Sequence, residues 1–160
     1  MSQRTRPPVV AIVDDEEMVS TALRTFLQLE TGYEVLTFSA PARVLEALER
    51  EPVNVLIADF MMPEMDGITL LRKVRESHPQ VTRILLTGYA DKQNAIRAIN
   101  EAGLYQYLEK PWNNDHLKMV LRNAVERSEL LNDLEARVSA LETANQDLFE
   151  LRRRLIQAFL

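Results

Sequence analysis

The sequence predicts an α/β fold: a doubly wound parallel sheet of five strands with helices on both faces. Five short runs of apolar β-formers alternate strictly with stretches whose apolar residues recur at helical spacing. The connections between these segments are short and contain most of the prolines and glycines. Because crossovers between parallel strands are right-handed, few topologies remain, and the doubly wound sheet is the one we expect.

The overall composition is that of one domain with an appendage. The chain has 160 residues, of which 46% are hydrophobic and 27% charged. A net charge of -5 argues against direct binding to nucleic acid or to an anionic membrane. No apolar stretch approaches the roughly 20 residues of a membrane span, and we expect no secretory signal. The absence of cysteine excludes disulfides and thiolate metal sites and fits a cytoplasmic protein.

The first elements follow a polar segment, residues 1–7, which we expect to be a flexible tail. The first strand is predicted at Val9–Val13, where the acidic run Asp14–Glu17 ends it. A helix follows and ends near Gly32. Its predicted apolar face contains Met18, Ala22, Leu23, Phe26 and Leu27.

The middle of the chain contains two further strands with a helix between them. Tyr33–Phe38 is the second predicted strand. Pro41 begins the next helix and Pro52 ends its extension, because proline suits the first helical turn and disrupts the interior. Val53–Ala58 is a run of β-formers typical of a strand buried on both faces.

The remaining elements follow the same alternation. We predict a helix at Ile68–Glu76, a strand at Arg83–Leu86, a helix at Lys92–Ala102 and a strand at Leu104–Leu108. From Asp115 to the last residue there is no proline or glycine, which predicts one long final helix.

Polar side chains follow four of the five predicted strands. They are Asp14 and Asp15 after the first strand, Asp59 after the third, Thr87 after the fourth and Lys110 after the fifth. Parallel strands end at one edge of the sheet, so these groups should meet there. Three carboxylates in one cleft repel each other, and a hard divalent cation such as Mg²⁺ removes that cost. A hydroxyl and an ammonium facing the cation suit a phosphoryl group.

At these positions the sequence resembles the CheY-like receiver domains of two-component response regulators, which have a flavodoxin-like fold. The resemblance covers roughly residues 8–127. It also includes Pro63 and Gly67 in the loop after Asp59, and Pro111 after Lys110. It implies that Asp59 accepts a phosphoryl group from a histidine kinase or a histidine phosphotransfer protein.

The same resemblance implies how the metal and the phosphoryl group are held. Asp15, Asp59 and the backbone carbonyl of Met61 would bind Mg²⁺ directly, and Asp14 would act through water. Lys110, together with Thr87, would hold the phosphoryl oxygens. The peptide bond between Lys110 and Pro111 would be cis.

A conformational switch is also implied. Phosphorylation would draw Thr87 inward, and Tyr107 would turn into the space behind it. An ordinary half-buried strand tyrosine is the alternative interpretation of Tyr107. Three further residues, Met61, Gly88 and Tyr89, are predicted to modulate access to the phosphoryl site, the bulky Met61 and Tyr89 by slowing hydrolysis and Gly88 by leaving the donor's approach open.

The final helix has a heptad pattern beyond the domain. Leucines recur at every seventh position, with Val138 and Asn145 at the intervening positions, which is typical of a parallel two-stranded coiled coil. Asn145 would fix the register, and Arg137 could reach Glu142 of a partner chain. The predicted homodimer seam consists of Leu131, Leu134, Val138, Leu141, Asn145, Leu148 and Leu155.

These observations divide the chain into a tail (1–7), a receiver domain (8–127) and a coiled-coil helix (128–160). We expect a phospho-accepting switch, not a conventional enzyme, that relays its state through the dimer to an output module outside these 160 residues. A passive coiled-coil scaffold is one alternative. An aspartyl-phosphate phosphatase is another, but such sites usually place a second acid where Met61 stands.

Overall fold

A computed structural model describes residues 6–88 and 91–160, apart from the side chains at 92, 94, 95 and 98. The chain divides into two compact units, Met1–Ser128 and Glu129–Leu160. Of the predicted tail, residues 1–5 lie outside the described residues, and Arg6 and Pro7 are exposed.

In the described residues, five parallel strands form a single sheet in the order β2-β1-β3-β4-β5. This confirms the predicted α/β class and the doubly wound, flavodoxin-like topology. The chain runs outward in opposite directions from β1 and β3, so the carboxyl ends of these neighbouring strands form the crevice where such sheets bind ligands. The strands are β1 (Val9–Val13), β2 (Glu34–Phe38), β3 (Val55–Asp59), β4 (Thr82–Thr87) and β5 (Gln106–Glu109).

Five helices alternate with these strands in the part of the chain that the structure describes. They are α1 (Glu17–Glu30), α2 (Pro41–Arg50), α3 (Gly67–Ser77), α4 (Lys92–Glu101) and α5 (Asn114–Ala158). Helix α3 packs against the sheet through Leu70, Leu71 and Val74, which are all fully buried. Within the described part of the chain, no helix is both long enough and apolar enough to cross a membrane.

The core has two layers, one on each face of the sheet. Alternate residues of a strand point to opposite faces, so β1 contributes Ala11 to one layer and Ile12 to the other. Helices α2 and α3 complete the first layer, and α1 and the first part of α5 complete the second. Both faces of β1 and β3 are therefore covered, which explains why these strands are almost continuously apolar.

One prediction for α1 is wrong. Met18 is 86% exposed and Ala22 is also exposed, whereas the buried stripe contains Ser20, Leu23 and Leu27. These three positions are three and four residues apart, so they lie on one face of the helix. Met18 and Ala22 lie on other sides of the helix, away from the sheet. Ser20 tolerates burial because its hydroxyl donates a hydrogen bond to the Glu17 carbonyl (3.1 Å).

Candidate functional site: an acidic cluster at the carboxyl edge of the sheet

Two buried carboxylates stand at the ends of the central strands. Asp14 follows β1 and is 1% exposed, and Asp59 ends β3 and is 4% exposed. Asp14 is held by its own backbone, whose N–H donates to the Phe38 carbonyl (3.1 Å), and its Oδ1 accepts from the N–H of Glu16 (2.9 Å). The carboxylate of Asp14 is thus fixed in place, while that of Asp59 accepts no backbone hydrogen bond among the described residues.

A third carboxylate completes an acidic cluster. It belongs to Asp15, which is exposed, whereas Asp14 and Asp59 are buried. One carboxylate oxygen from each of these three residues lies within 4.8 Å of the other two. Carboxylate oxygens at this spacing fit a small hard cation, which binds two or three of them directly or through water. The donor set has no nitrogen or sulfur ligand, which favours Mg²⁺ over a transition metal.

Lys110 brings the only positive charge that the structure shows in contact with this cluster. Its Nζ lies 3.1 Å from Asp59 Oδ1 and 3.4 Å from Asp14 Oδ2. The backbone places it there, because the N–H of Lys110 donates to the carbonyl of Thr87 (2.8 Å). The following peptide bond to Pro111 is cis, as the resemblance implies. One ammonium against three carboxylates leaves an excess of negative charge.

The pKa values of these residues reflect the excess of negative charge. Burial, and then the charge of Asp14, raise the pKa of Asp59 from 3.8 to about 6, although Lys110 opposes the change. Burial also raises the pKa of Asp14. Burial works against the charged form of Lys110, but its hydrogen bond to Asp59 and the two carboxylate charges outweigh this and raise its pKa. A cation would therefore be stabilised here.

The loop after Asp59 is shaped by a glycine. A Cβ at Gly67 would lie 2.3 Å from the backbone carbonyl oxygen of Asp59, so only glycine fits without displacing that residue. The N–H of Gly67 also donates to the Phe60 carbonyl (2.9 Å). Asp66 caps α3 by accepting from the N–H of Thr69 (2.7 Å). The sequence indicated a loop closed at Gly67, but the close approach to Asp59 becomes visible only in the fold.

The residues of the predicted switch lie on adjacent strands. Thr87 is fully buried, and its hydroxyl makes a long hydrogen bond to the Leu108 carbonyl (3.4 Å). Tyr107 pairs with Leu85 across β4 and β5, is partly buried, and packs against the core layer on the α3 side of the sheet.

Of the three residues predicted to modulate access to the phosphoryl site, the structure describes Met61 and Gly88. The side chain of Met61, two positions after Asp59, is 63% exposed. Gly88 directly follows β4 and is partly exposed. Tyr89 lies outside the described residues.

The second unit, Glu129–Leu160, is helical to Ala158. From residue 132 onward every side chain is exposed, including the leucines of the predicted seam. Leu131 is partly buried and Asn145 is exposed. The exposed fractions of the large apolar seam residues are 57% for Leu134, 45% for Val138, 66% for Leu141, 66% for Leu148 and 53% for Leu155.

The fold and the cluster define a flavodoxin-like α/β protein with an acid-and-lysine site at its ligand-binding edge. Comparison with known proteins identifies the family. The response regulator receiver domain family matches residues 10–122, and the chain belongs to this family. Receiver domains of response regulators are signalling switches, not conventional enzymes.

Individual relatives agree with this assignment. The chain is 42% identical, over 78% of its length, to the hydrogenase transcriptional regulatory protein HoxA of Cupriavidus necator. It is 31% identical, over 92% of its length, to the DNA-binding transcriptional regulator NtrC of Escherichia coli. It spans only 26% of HoxA and 33% of NtrC.

Solved structures give the same result. The signal receiver domain of an HD domain-containing protein from Pseudomonas fluorescens Pf-5 has a TM-score of 0.73 and 35% identity, covering 78% of this chain and 98% of that one. NtrX from Brucella abortus, solved with ADP, has a TM-score of 0.74 and 26% identity, covering 81% of this chain and 30% of that one.

Proposed function

We propose that this chain is a phospho-accepting switch in which Asp59 takes a phosphoryl group from a phosphohistidine of a histidine kinase or a histidine phosphotransfer protein. The observation that carries the proposal is the contact of the buried Asp59 carboxylate with Lys110 (3.1 Å) inside a cluster of three acids. Membership of the receiver family supports it. The reaction would take place in the cytoplasm, where sensor kinases meet their response regulators.

The roles of the side chains follow from their places in the cluster. An oxygen of Asp59 attacks the phosphorus, an acyl phosphate bond forms, the bond from phosphorus to the histidine nitrogen breaks, and the imidazole leaves with the bonding electrons. Asp59 suits this role better than Asp14, whose carboxylate is tied to the Glu16 backbone. Lys110 then turns from the carboxylates to the new phosphoryl oxygens, for which it is already within reach.

In this proposal the acidic cluster binds the metal ion. Asp14, Asp15 and Asp59, with the backbone carbonyl of Met61, would hold Mg²⁺, which would supply charge neutralisation for the transferring phosphoryl group. The acidic excess of the cluster, and the pKa of Asp59 raised to about 6, both support the binding of a cation.

The switch would begin at Thr87. Its hydroxyl is held by one long hydrogen bond (3.4 Å), which a phosphoryl oxygen on Asp59 would readily replace. The movement of Thr87 would open space beside Tyr107, whose ring already packs against the core on that side. Two packings of these side chains would then be in equilibrium, and the phosphoryl group would shift their populations.

The output of the switch is proposed to pass through a parallel dimer of the second unit. A helix with leucines that are 53–66% exposed at every seventh position gains stability by pairing those leucines with a second copy. We propose that this dimer acts on an output module outside these 160 residues. HoxA and NtrC are named as transcriptional regulators. The net charge of these 160 residues is -5, which disfavours direct contact between them and DNA.

One experiment tests the phosphoryl transfer. The protein is incubated with acetyl phosphate, with and without Mg²⁺, and its intact mass is recorded. We expect the mass of one phosphoryl group to be added only with Mg²⁺, to disappear on treatment with hydroxylamine, and to be absent in Asp59→Asn. A label that survives hydroxylamine, or that persists in Asp59→Asn, would rule out the assignment.

A second experiment tests the relay. Sedimentation with Mg²⁺ is compared with and without beryllofluoride, which mimics the phosphoryl group. We expect beryllofluoride to change the monomer–dimer equilibrium of the wild type and not that of Asp59→Asn. An identical change in both proteins would show that the response does not arise at Asp59.

A further inference from the structure

The apolar band of the second unit becomes wider in its last two heptads, residues 148–160. In a heptad labelled a to g, the seam of a two-stranded coiled coil occupies a and d, and positions e and g flank it. The leucines that recur at every seventh position occupy d. The flanking residues of the two earlier heptads are Glu135, Arg137, Glu142 and Ala144, and those of the last two are Phe149, Leu151, Ile156 and Ala158. The flanks therefore change from mostly charged to entirely apolar.

A two-stranded coiled coil does not cover these flanking side chains. Phe149 is 69% exposed, Leu151 is 54% exposed and Ile156 is 53% exposed. In a parallel dimer, Leu151 at g of one chain would lie beside Ile156 at e of the other, so both sides of the dimer would carry an apolar strip. An apolar band that includes a, d, e and g is typical of a helix that packs against more than one neighbour.

The residues at the a positions change at the same point. Val138 and Asn145 suit the seam of a parallel pair. The next a residue is Arg152, and a two-stranded seam would bring two guanidinium groups together at its centre. The sequence therefore specifies a pair of helices as far as Leu148 and a different packing beyond it.

The charges of this segment indicate the direction of the additional helices. The acids Asp147 and Glu150 precede the basic run Arg152–Arg154. Arg154 lies 3.9 Å from Glu150 of its own helix, and both side chains are largely exposed. Additional helices running parallel would place the arginine runs of all chains at one level. Antiparallel helices would instead bring the arginines of one pair close to the acids of the other, which is electrostatically complementary.

We propose that two parallel dimers associate through residues 148–160, in antiparallel orientation, to form a four-helix bundle. The partner for this apolar surface is thus a second pair of the same chain. Each helix of a four-helix bundle has two neighbours, so both flanks are covered and the assembly closes. The inference rests on the proposed dimer. Because the dimer seam is longer than the shared bundle, dimers should form at lower concentration than tetramers.

Sedimentation equilibrium of the 160-residue protein over a range of concentrations tests the bundle. We expect dimers at low concentration and tetramers at high concentration. The double variant Phe149→Gln, Ile156→Gln should remain dimeric, with a dimer–tetramer dissociation constant raised at least about a hundredfold, because each chain loses two buried apolar side chains. Glutamine is a good helix former, and far-UV circular dichroism should show that the helix is retained.

A matched control places the same residue type on the opposite side of the helix. Ala136 and Thr143 are exposed and occupy f positions, away from the seam and its flanks. The double variant Ala136→Gln, Thr143→Gln should form tetramers like the wild type. Equal loss of tetramers in the two double variants would contradict the assignment of the flanks.

The orientation is tested by charge. The double variant Arg153→Gln, Arg154→Gln should weaken the tetramer several-fold at low salt, and added salt should weaken the wild-type tetramer. In a parallel bundle both changes would relieve repulsion between arginines. A tetramer that becomes more stable after either change would therefore overturn the antiparallel arrangement.

Failure of the bundle and failure of the dimer give different results. A wild type that stays dimeric at every concentration would overturn the bundle and leave the proposed dimer intact. A wild type that stays monomeric would contradict the dimer itself, and the bundle with it. Tetramers of undiminished stability in the Phe149→Gln, Ile156→Gln variant would show that another surface joins the dimers.

Discussion

Proteins usually expose charged side chains and bury large apolar ones, and each unit of this protein departs from one half of that rule. The first unit buries charge: Asp14 and Asp59 are almost inaccessible at the centre of a sheet edge. The second unit exposes apolar surface: the seam residues Leu134, Leu141, Leu148 and Leu155 are each more than half accessible along a helix. Each departure costs stability in the isolated chain. In our account a metal and a phosphoryl group offset the first cost, and a second copy of the helix offsets the second.

The largest expected effect is in the second unit. Leu141→Asp places a charge in the middle of the seam and removes the same leucine from both chains of a dimer. Because burial of one leucine stabilises by about 1.5–3 kcal/mol, the dimer should lose about 3–6 kcal/mol. Sedimentation equilibrium should then show monomers at concentrations where the wild type is dimeric. The control Ser139→Asp, next to a seam position on the exposed surface, should remain dimeric; if both variants dissociate, the seam is wrongly placed.

The corresponding disruption in the first unit is Gly67→Ala. The added methyl group meets the Asp59 carbonyl at 2.3 Å, so the loop or the end of β3 must move. We expect a loss of about 3 kcal/mol in the free energy of unfolding, measured by urea denaturation, and slower phosphorylation. Gly32→Ala is the matched control, since a Cβ there has nothing within 4 Å. Equal effects of the two substitutions would contradict a special role for Gly67.

A smaller effect concerns the charge of the acidic cluster. The pKa of Asp59 is raised from 3.8 to about 6, so the folded state binds this proton more tightly than the unfolded state. The stability that this provides is present below pH 3.8 and is lost as the pH rises through about 6. Without metal, the wild type should lose up to about 3 kcal/mol relative to Asp59→Asn over this interval.

The measurement is urea denaturation of both proteins in EDTA at a series of pH values. Adding Mg²⁺ at neutral pH should stabilise the wild type more than Asp59→Asn, because the variant lacks one of the three carboxylates. A difference between the two proteins that does not vary with pH would show that Asp59 has an ordinary environment.

The smallest expected effect is on the stability of the dimer formed by the second unit. Arg137 and Glu142 are placed to form a pair between chains at the border of the seam, and exposed pairs contribute less than about 1 kcal/mol. Glu142→Gln should therefore weaken the dimer only slightly, by a few-fold at low salt and less at high salt. A large, salt-independent loss would mean that Glu142 lies within the interface and that the heptad assignment is shifted.

The sequence was most informative where a simple period decides the structure. Strict alternation of strands and helices predicted the sheet, and the strand-end positions of Asp14, Asp59 and Lys110 predicted that they would meet. It was less informative where burial depends on the neighbours. Met18 belongs to an apolar pattern on α1 but is exposed, because the sheet covers only the side of the helix that carries Leu23 and Leu27.

Other features could not be predicted because they arise from contacts between distant segments. The need for glycine at position 67 depends on a carbonyl eight residues earlier. Glu109 appears in the sequence as an ordinary strand-end acid beside Lys110. Only the fold shows that its Oε1 is enclosed without a donor in the described part of the chain.

The central claim is that one particular carboxylate of the three is the acceptor, and it can be tested directly. The protein is phosphorylated with acetyl phosphate and Mg²⁺ and reduced with borohydride, which converts an aspartyl phosphate to homoserine, and its peptides are sequenced by mass spectrometry. We predict homoserine at position 59 and intact aspartate at Asp14 and Asp15. Homoserine at either of those positions, or at none of the three, would contradict the account.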